Sequence, residues 1–271
     1  MGETDSFADR IDRVLVAGAT GGTGREMLRV LEATDLEVVG LTRSLDSRGE
    51  LLARGADEAV VGDLLDARDA ARAVRGCDAV LCAVGTGPSL DPLLGKPLVD
   101  GEGVRNLVNA AVAADCEAFV FESSIGVGDS ASGMPAPFRW AIAPILRAKN
   151  RAEAALRSSG LRYTIVRPGG LTDGPATGDV LVGEGGATVS GSVPRADVAR
   201  LMVAALSTPD AANRTVEVVA RSGLRGTPRG LVEPDWAYPE DLEPVTIAIE
   251  DEDGSENEGE NEDEGENESD E

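Results

Sequence analysis

Residues 13 to 24 read RVLVAGATGGTG. The apolar, β-branched run from Arg13 to Gly18 predicts a strand. Helical spacing follows over Gly22 to Ala33, with Met27, Leu28 and Leu31 on one side. Glycines therefore crowd the turn between a strand and a helix. Gly18, Gly21 and Gly24 keep the spacing GxxGxxG. The first permits a tight turn, the middle ones admit a diphosphate to the main chain, and the last lets helix and strand pack closely. The helix start adds free N–H groups and a positive dipole end. Gly18, Thr20, Gly21, Gly22, Thr23 and Gly24 are accordingly candidate cofactor-binding residues, because the strand–turn–helix context is the one in which this pattern carries meaning.

Strand and helix patterns alternate outward from this turn. Strands are expected at Leu36–Leu41, Glu58–Val61, Asp78–Val84, Glu117–Glu122, Leu161–Val166 and Thr215–Val219. Helices are expected at Asp66–Arg75, Leu98–Ala114, Arg139–Ser159 (irregular near Pro144) and Pro194–Leu206. Apolar runs without clean alternation mark strands covered on both faces. The alternation implies an α/β fold, a doubly wound parallel sheet in a single domain. The organisation expected is an N-terminal arm over 1–12, the core domain over 13–220, an extension packing on it over 221–249, and a disordered acidic tail over 250–271. Val245 to Ile249 is a possible edge strand within that extension. The tail contains no apolar residue with which to offset its ordering entropy.

Composition excludes several chemistries. The chain of 271 residues has no histidine, which removes Ser-His-Asp and Cys-His catalysis and every histidine metal site. Cys77, Cys82 and Cys116 form no CxxC pair and read as buried thiols in a reducing cytoplasm. The net charge of -24 argues against a nucleic-acid partner. No apolar stretch is long enough to span a membrane. Of the 25 basic residues, Lys96 and Lys149 alone are lysine. Such acid-rich, lysine-poor usage resembles the proteins of extreme halophiles, whose carboxylate surfaces stay hydrated at molar salt.

Further motifs follow in order: LTRS after the second strand, GDLLD after the third, CAVG, FESSIGVG, AKNRAEAALRSSGLRYTIVRPGGLTD and PRADVARLMVAAL. Together with VLVAGATGGTG they resemble the atypical short-chain dehydrogenase/reductase superfamily, in its NAD(P)H-binding, flavin/biliverdin reductase-like branch. The resemblance covers roughly residues 13 to 220 and implies a Rossmann-type fold.

The cofactor expected from this resemblance is NADP(H) in preference to NAD(H). An NAD-preferring site places an acid after the second strand, for the adenosine ribose. Here Thr42, Arg43 and Ser44 stand there instead, and a guanidinium can grip a 2′-phosphate through paired charged hydrogen bonds. Arg43 and Ser44 are the candidates, with Arg48 a weaker second. The resemblance puts Asp63 and Leu64 at the adenine, and Ala83, Val84 and Gly85 where small residues let the cofactor pass. It lays Pro168, Gly169, Gly170 and Leu171 along the nicotinamide.

The resemblance also implies a serine, tyrosine and lysine for catalysis, the last two spaced YxxxK. Ser123 and Ser124 end the fifth strand, and Lys149 matches the lysine, but Ile145 stands where the tyrosine belongs. Ser124 and Lys149 are the catalytic candidates; Ser123 is placed with the cofactor, and Lys149 with its ribose. Asp197 reads as a helix N-terminal acid rather than a site residue. The expected activity is reduction of a flavin, quinone or similar conjugated small molecule, which takes hydride with a proton from water and needs no tyrosine. The alternatives are a non-catalytic NADP(H)-sensing or scaffold protein and, more weakly, a sugar-nucleotide epimerase or dehydratase.

Overall fold

The protein is described by a computed structural model over residues 11–86 and 96–239. The acidic tail and the strand expected at Val245 to Ile249 lie outside the described residues, as does most of the N-terminal arm.

The opening stretch forms β1 (Arg13–Ala17) and α1 (Gly22–Leu31). Successive strands are β2 (Glu37–Thr42), β3 (Glu58–Val61), β4 (Ala79–Cys82), β5 (Ala118–Glu122) and β6 (Arg162–Pro168). Beyond them lie β7 (Gly170–Thr172), β8 (Val180–Glu184), β9 (Ser192–Pro194) and β10 (Arg214–Ala220). The main sheet has the order β3-β2-β1-β4-β5-β6-β10-β8 and is parallel except for β8, which runs antiparallel to β10. The short strands β7 and β9 pair with each other in a separate parallel ribbon.

Both faces are covered, which is why the strands read as continuous apolar runs. On β1, Val14 and Val16 face a core shared with Met27 and Leu28 of α1 and with Leu201 and Met202 of α7 (Arg195–Ala204). Leu15 and Ala17 face the other core. That second core includes Ala70 of α3 (Ala67–Ala73), Leu107 of α4 (Val104–Ala113) and Leu156 of α6 (Ala143–Arg157). The remaining helices, α2 (Arg48–Leu52) and α5 (Ala136–Ala141), are short.

Three sequence expectations need correction. The helix expected from Leu98 begins as a π-helical turn, Val99–Gly103, before α4. The helix expected over Arg139 to Ser159 is two helices, α5 and α6, broken at Ile142 (φ -104°, ψ 13°) rather than at Pro144, which the first turn of α6 tolerates because its N–H would have no helical partner. Strands β7, β8 and β9 and helix α2 were not anticipated; three-to-five-residue segments give no readable period. Residues after β10 run along β8, with Glu184 N–H donating to Gly230 O at 2.9 Å and Val232 N–H to Val182 O at 2.9 Å. The edge of the sheet is thereby partly covered.

All three cysteines are buried and unpaired. Burial pushes the Cys77 thiol up to about 11 and the Cys82 and Cys116 thiols up to about 12.

Candidate active site

Crossovers turn one way from β1 to β2 and the other way from β4 onward. A crevice therefore opens at the carboxyl ends of β1 and β4, where open α/β sheets bind their ligands. A cleft of about 610 Å3 occupies this place. Its floor is the glycine turn. Gly18 has φ +88°, and a Cβ there would stand 2.6 Å from Ala83 O, so only glycine fits against the end of β4. A Cβ on Gly24 would stand 2.1 Å from Gly18 O, the close helix–strand approach that the spacing foretold. No side chain caps the first turn of α1, and no acid sits in it. Its N–H groups and dipole are thus available to an anion. The turn fits a dinucleotide diphosphate on these grounds.

Arg195, at the start of α7, lies across this turn: its Cδ is 2.5 Å from where a Cβ of Gly22 would be. Its guanidinium is held by Asp173 at 2.7 Å, and the residue lines the cleft. Sequence reasoning passed over it, although it sits two residues before Asp197 in PRADVA. Asp197 is buried and holds the 177–178 loop, accepting from Thr177 N–H at 2.9 Å and Gly178 N–H at 3.1 Å.

The end of the cleft away from the glycine turn is organised around Lys149. Its ammonium donates to Glu122 O at 2.9 Å, lies 3.7 Å from Asp100 Oδ1, and sits 5.2 Å from the centre of the Phe121 ring. Asp100 is fully buried; its Oδ2 accepts from Thr86 N–H at 2.8 Å and from the Thr86 hydroxyl. Oδ1 has no hydrogen bond, so the ammonium is its electrostatic partner. The π turn is what delivers Val99 and Asp100 to the cleft wall. The Glu122 side chain also lines the cleft and accepts from Thr23 Oγ1 at 2.9 Å. Burial raises its pKa against the opposing pull of Lys149, Thr23 and Arg195. Asp100, Thr86, Glu122 and Arg195 were all missed as site residues. Glu122 was legible in principle, as an acid closing an otherwise apolar strand.

The two serines after β5 separate. Ser123 Oγ donates to Glu153 Oε1 at 2.5 Å in the interior. Ser124 is partly exposed in the cleft and donates locally to Ile125 O at 2.9 Å. Ile145 lines the cleft one turn before Lys149. Neither Tyr163 nor Tyr238 does so.

Of the residues singled out from sequence, the cleft brings together Gly18, Thr20, Gly21, Gly22, Thr23, Arg43, Leu64, Ala83, Val84, Gly85, Ser123, Ser124, Lys149, Pro168, Gly169 and Leu171. Five stand outside its lining, one of them Arg48, which begins α2. Gly24 packs beneath the turn, and Gly170 donates to Gly191 O at 2.9 Å within the small ribbon. Ser44 caps the turn at Leu45–Ser47 by accepting from Asp46 N–H at 3.2 Å. Asp63 accepts from Leu65 N–H at 3.0 Å, the turn role open to a residue of its kind.

Residues 18–209 match the model of a family described as NAD(P)H-binding. The chain belongs to this family. Among curated relatives it is similar to an uncharacterised sugar epimerase of Bacillus subtilis, 31% identical over 210 residues that cover 76% of this chain and 93% of that one. It is also similar to sanguinarine reductase of Eschscholzia californica, 29% identical over 242 residues, 76% and 88% of the two chains. Among solved structures it resembles the anaerobilin reductase ChuY of Escherichia coli, with 27% identity, a TM-score of 0.69, and coverage of 79% of this chain and all (100%) of that one. The chain is thus an NAD(P)H-binding member of the atypical short-chain dehydrogenase/reductase type, a family of oxidoreductases. No helix among the described residues is long and apolar enough to cross a membrane.

Proposed function

We propose that the protein is an NADP(H)-dependent reductase of a flavin, a quinone or a similar conjugated acceptor, working without a catalytic tyrosine. The observation that carries this reading is the pairing of Ile145 and Lys149 on one face of α6 in the cleft: the lysine is kept and the acid is gone. Two relatives named as reductases, one of sanguinarine and one of anaerobilin, support it.

When bound, NADPH supplies hydride. The glycine turn and Arg195 would hold its diphosphate, and Arg43 its 2′-phosphate. Arg43 is exposed at the end of β2, lines the cleft, and has no carboxylate partner among the described residues. Lys149 would hold the ribose, its ammonium oriented in advance by Glu122 O and Asp100. The apolar Ile145 and Leu171 would exclude water around a flat acceptor, and Ser124 would meet an acceptor oxygen. Positioning of this kind supplies several kcal/mol of barrier lowering. A quinone or flavin that receives hydride takes its balancing proton from water.

An epimerase reading leans on the names of two similar proteins, the Bacillus subtilis relative and a solved structure from Bacillus halodurans whose name contains the words NAD-dependent epimerase/dehydratase, but this cleft offers neither tyrosine nor histidine for sugar proton chemistry. A cofactor-sensing role without turnover is the reading Ile145 favours next. The decisive experiment is steady-state NADPH oxidation with a panel of flavins and quinones. Turnover with at least one acceptor is expected. Tight NADPH binding with no oxidation across the panel would replace the reductase reading by the sensing one.

A further inference from the structure

The stretch from Ala131 to Ala152 contains no aspartate or glutamate, yet carries Arg139, Arg147, Lys149 and Arg151, in a chain whose net charge is -24. Lys149 turns into the cleft, but Arg147 and Arg151 lie one turn apart on the exposed face of α6. Neither makes an ion pair with a carboxylate among the described residues. They line a surface hollow of about 410 Å3 together with Lys96, Pro97, Leu98 and Pro144. Among the described residues Glu102 is the single acid at the rim, and its carboxylate is bonded to Arg105 at 2.9 Å.

Helix α5 leads directly into this face and buries none of its residues. It exposes Phe138 at 58% and Trp140 at 82%, the most exposed aromatic side chains among the described residues. The whole chain has only 10 residues between its tryptophans and phenylalanines on one hand and methionines on the other, so leaving two large aromatics in water is a poor use of scarce apolar mass. Cations on the helix that follows an exposed tryptophan and phenylalanine match the composition of a surface that sits at a membrane interface.

We propose that the α5–α6 face docks on an anionic phospholipid surface. Arg147 and Arg151 meet the headgroup phosphates, while Phe138 and Trp140 enter the interfacial layer. The rest of the acidic molecule is repelled by such a surface, so that only this face approaches it. Docking also orients the cleft, since Pro144 of the hollow adjoins Ile145 of the cleft, and Leu98 adjoins Val99. An acidic protein segment would meet the cations but gives no reason for the two aromatics.

The test is flotation of the full chain with vesicles of phosphatidylcholine alone and of phosphatidylcholine mixed with phosphatidylglycerol, at low salt. It reads binding, so its failure is separable from failure of the reductase reading. Binding to the anionic vesicles only is expected, with tryptophan emission shifting to the blue. Losing each cation should weaken binding about fivefold, so Arg147→Gln with Arg151→Gln should cost roughly 25-fold. Phe138→Ala with Trp140→Ala should abolish the blue shift. Unchanged melting temperature and NADPH affinity would show both variants to be folded. Absence of binding to anionic vesicles would overturn the proposal, as would binding that neither pair of substitutions alters. It would also fall if removing residues 250–271 shifted Trp140 emission while no vesicle bound, because the occupant would then be the chain's own acidic segment.

Discussion

Arg167 and Glu153 meet at two points in the interior, Nε to Oε1 at 3.0 Å and Nη2 to Oε2 at 2.7 Å, with side chains 3% and 0% exposed. The same carboxylate accepts from Ser123 Oγ and from Arg157 at 2.8 Å. Glu153 lies one turn after Lys149, and Arg167 immediately precedes Pro168. One carboxylate thus ties together β5, β6 and α6 directly behind the Lys149 end of the cleft.

Glu153→Gln should therefore be costly although it is isosteric. It leaves Arg167 buried with no full counter-charge beyond Asp129, and breaking a buried pair in this way costs about 3–5 kcal/mol. Thermal or denaturant melts would read the loss. A melting temperature equal to wild type would show that Asp129 alone satisfies the guanidinium.

Arg43→Ala should weaken NADPH binding and leave NADH binding nearly unchanged. Loss of a charged hydrogen bond costs about 1.5–3 kcal/mol, or roughly 10- to 150-fold in affinity. Titration of both cofactors into both proteins checks it. Equal affinities for NADPH and NADH in the wild type would remove the assignment of Arg43 to the 2′-phosphate.

Glu122 sets a pH dependence. Burial raises its folded pKa, so the native state holds a proton that the unfolded chain has released. Between the ordinary glutamate value and the raised one, stability falls as pH increases, and the penalty for charging the group is complete above the raised value. Glu122→Gln should flatten this fall. It should also make NADPH affinity less dependent on pH, since the carboxylate lines the cleft proposed to receive the phosphates. Melts and titrations across a pH series, in parallel on both proteins, would show the two curves converging at acid pH. Curves of identical shape would count against a raised Glu122.

Glu217 gives the opposite sign. It is buried, and although burial alone would raise its pKa, hydrogen bonds from Ser130, Thr188 and the Ala187 and Thr188 backbone lower it. Thr188 N–H lies 2.6 Å from Oε2 and Ala187 N–H 2.9 Å from Oε1. Its stabilisation is present above the unfolded pKa and lost as pH falls through the depressed one. Glu217→Gln should lower stability at neutral pH and reduce the loss on acidification; equal acid limbs in denaturant melts would contradict this.

Gly24→Ala should damage the turn itself. The added Cβ would stand 2.1 Å from a backbone oxygen, which no side-chain rotation relieves. Cofactor affinity is expected to fall by more than tenfold even where the fold survives, as judged by circular dichroism. Unchanged affinity in a folded variant would mean that α1 can retreat from β1 without cost.

The glycine turn and the parallel strands were legible because their signals are local: β-branched runs, a fixed glycine spacing, and helical periodicity over ten residues or more. Lys149 stood out because lysine is nearly absent from the chain. Asp100 was hidden inside what reads as an ordinary helix start, because a π turn changes which side chains face the cleft without changing the composition. Arg195 and Glu122 are separated from the glycine turn by well over ninety residues, and only the sheet order brings them to it. Ser123 and Ser124 are chemically identical neighbours; what distinguishes them is Glu153, thirty residues from Ser123.

The buried thiols have a consequence for handling and for chemistry. Thiolate, not thiol, attacks peroxides, disulfides and alkylating agents. With Cys77 pushed up to about 11, and Cys82 and Cys116 to about 12, almost no thiolate exists near neutral pH. The thiols of the folded protein are thereby slow to react with such agents, and thiol reagents become a reporter of unfolding rather than of catalysis.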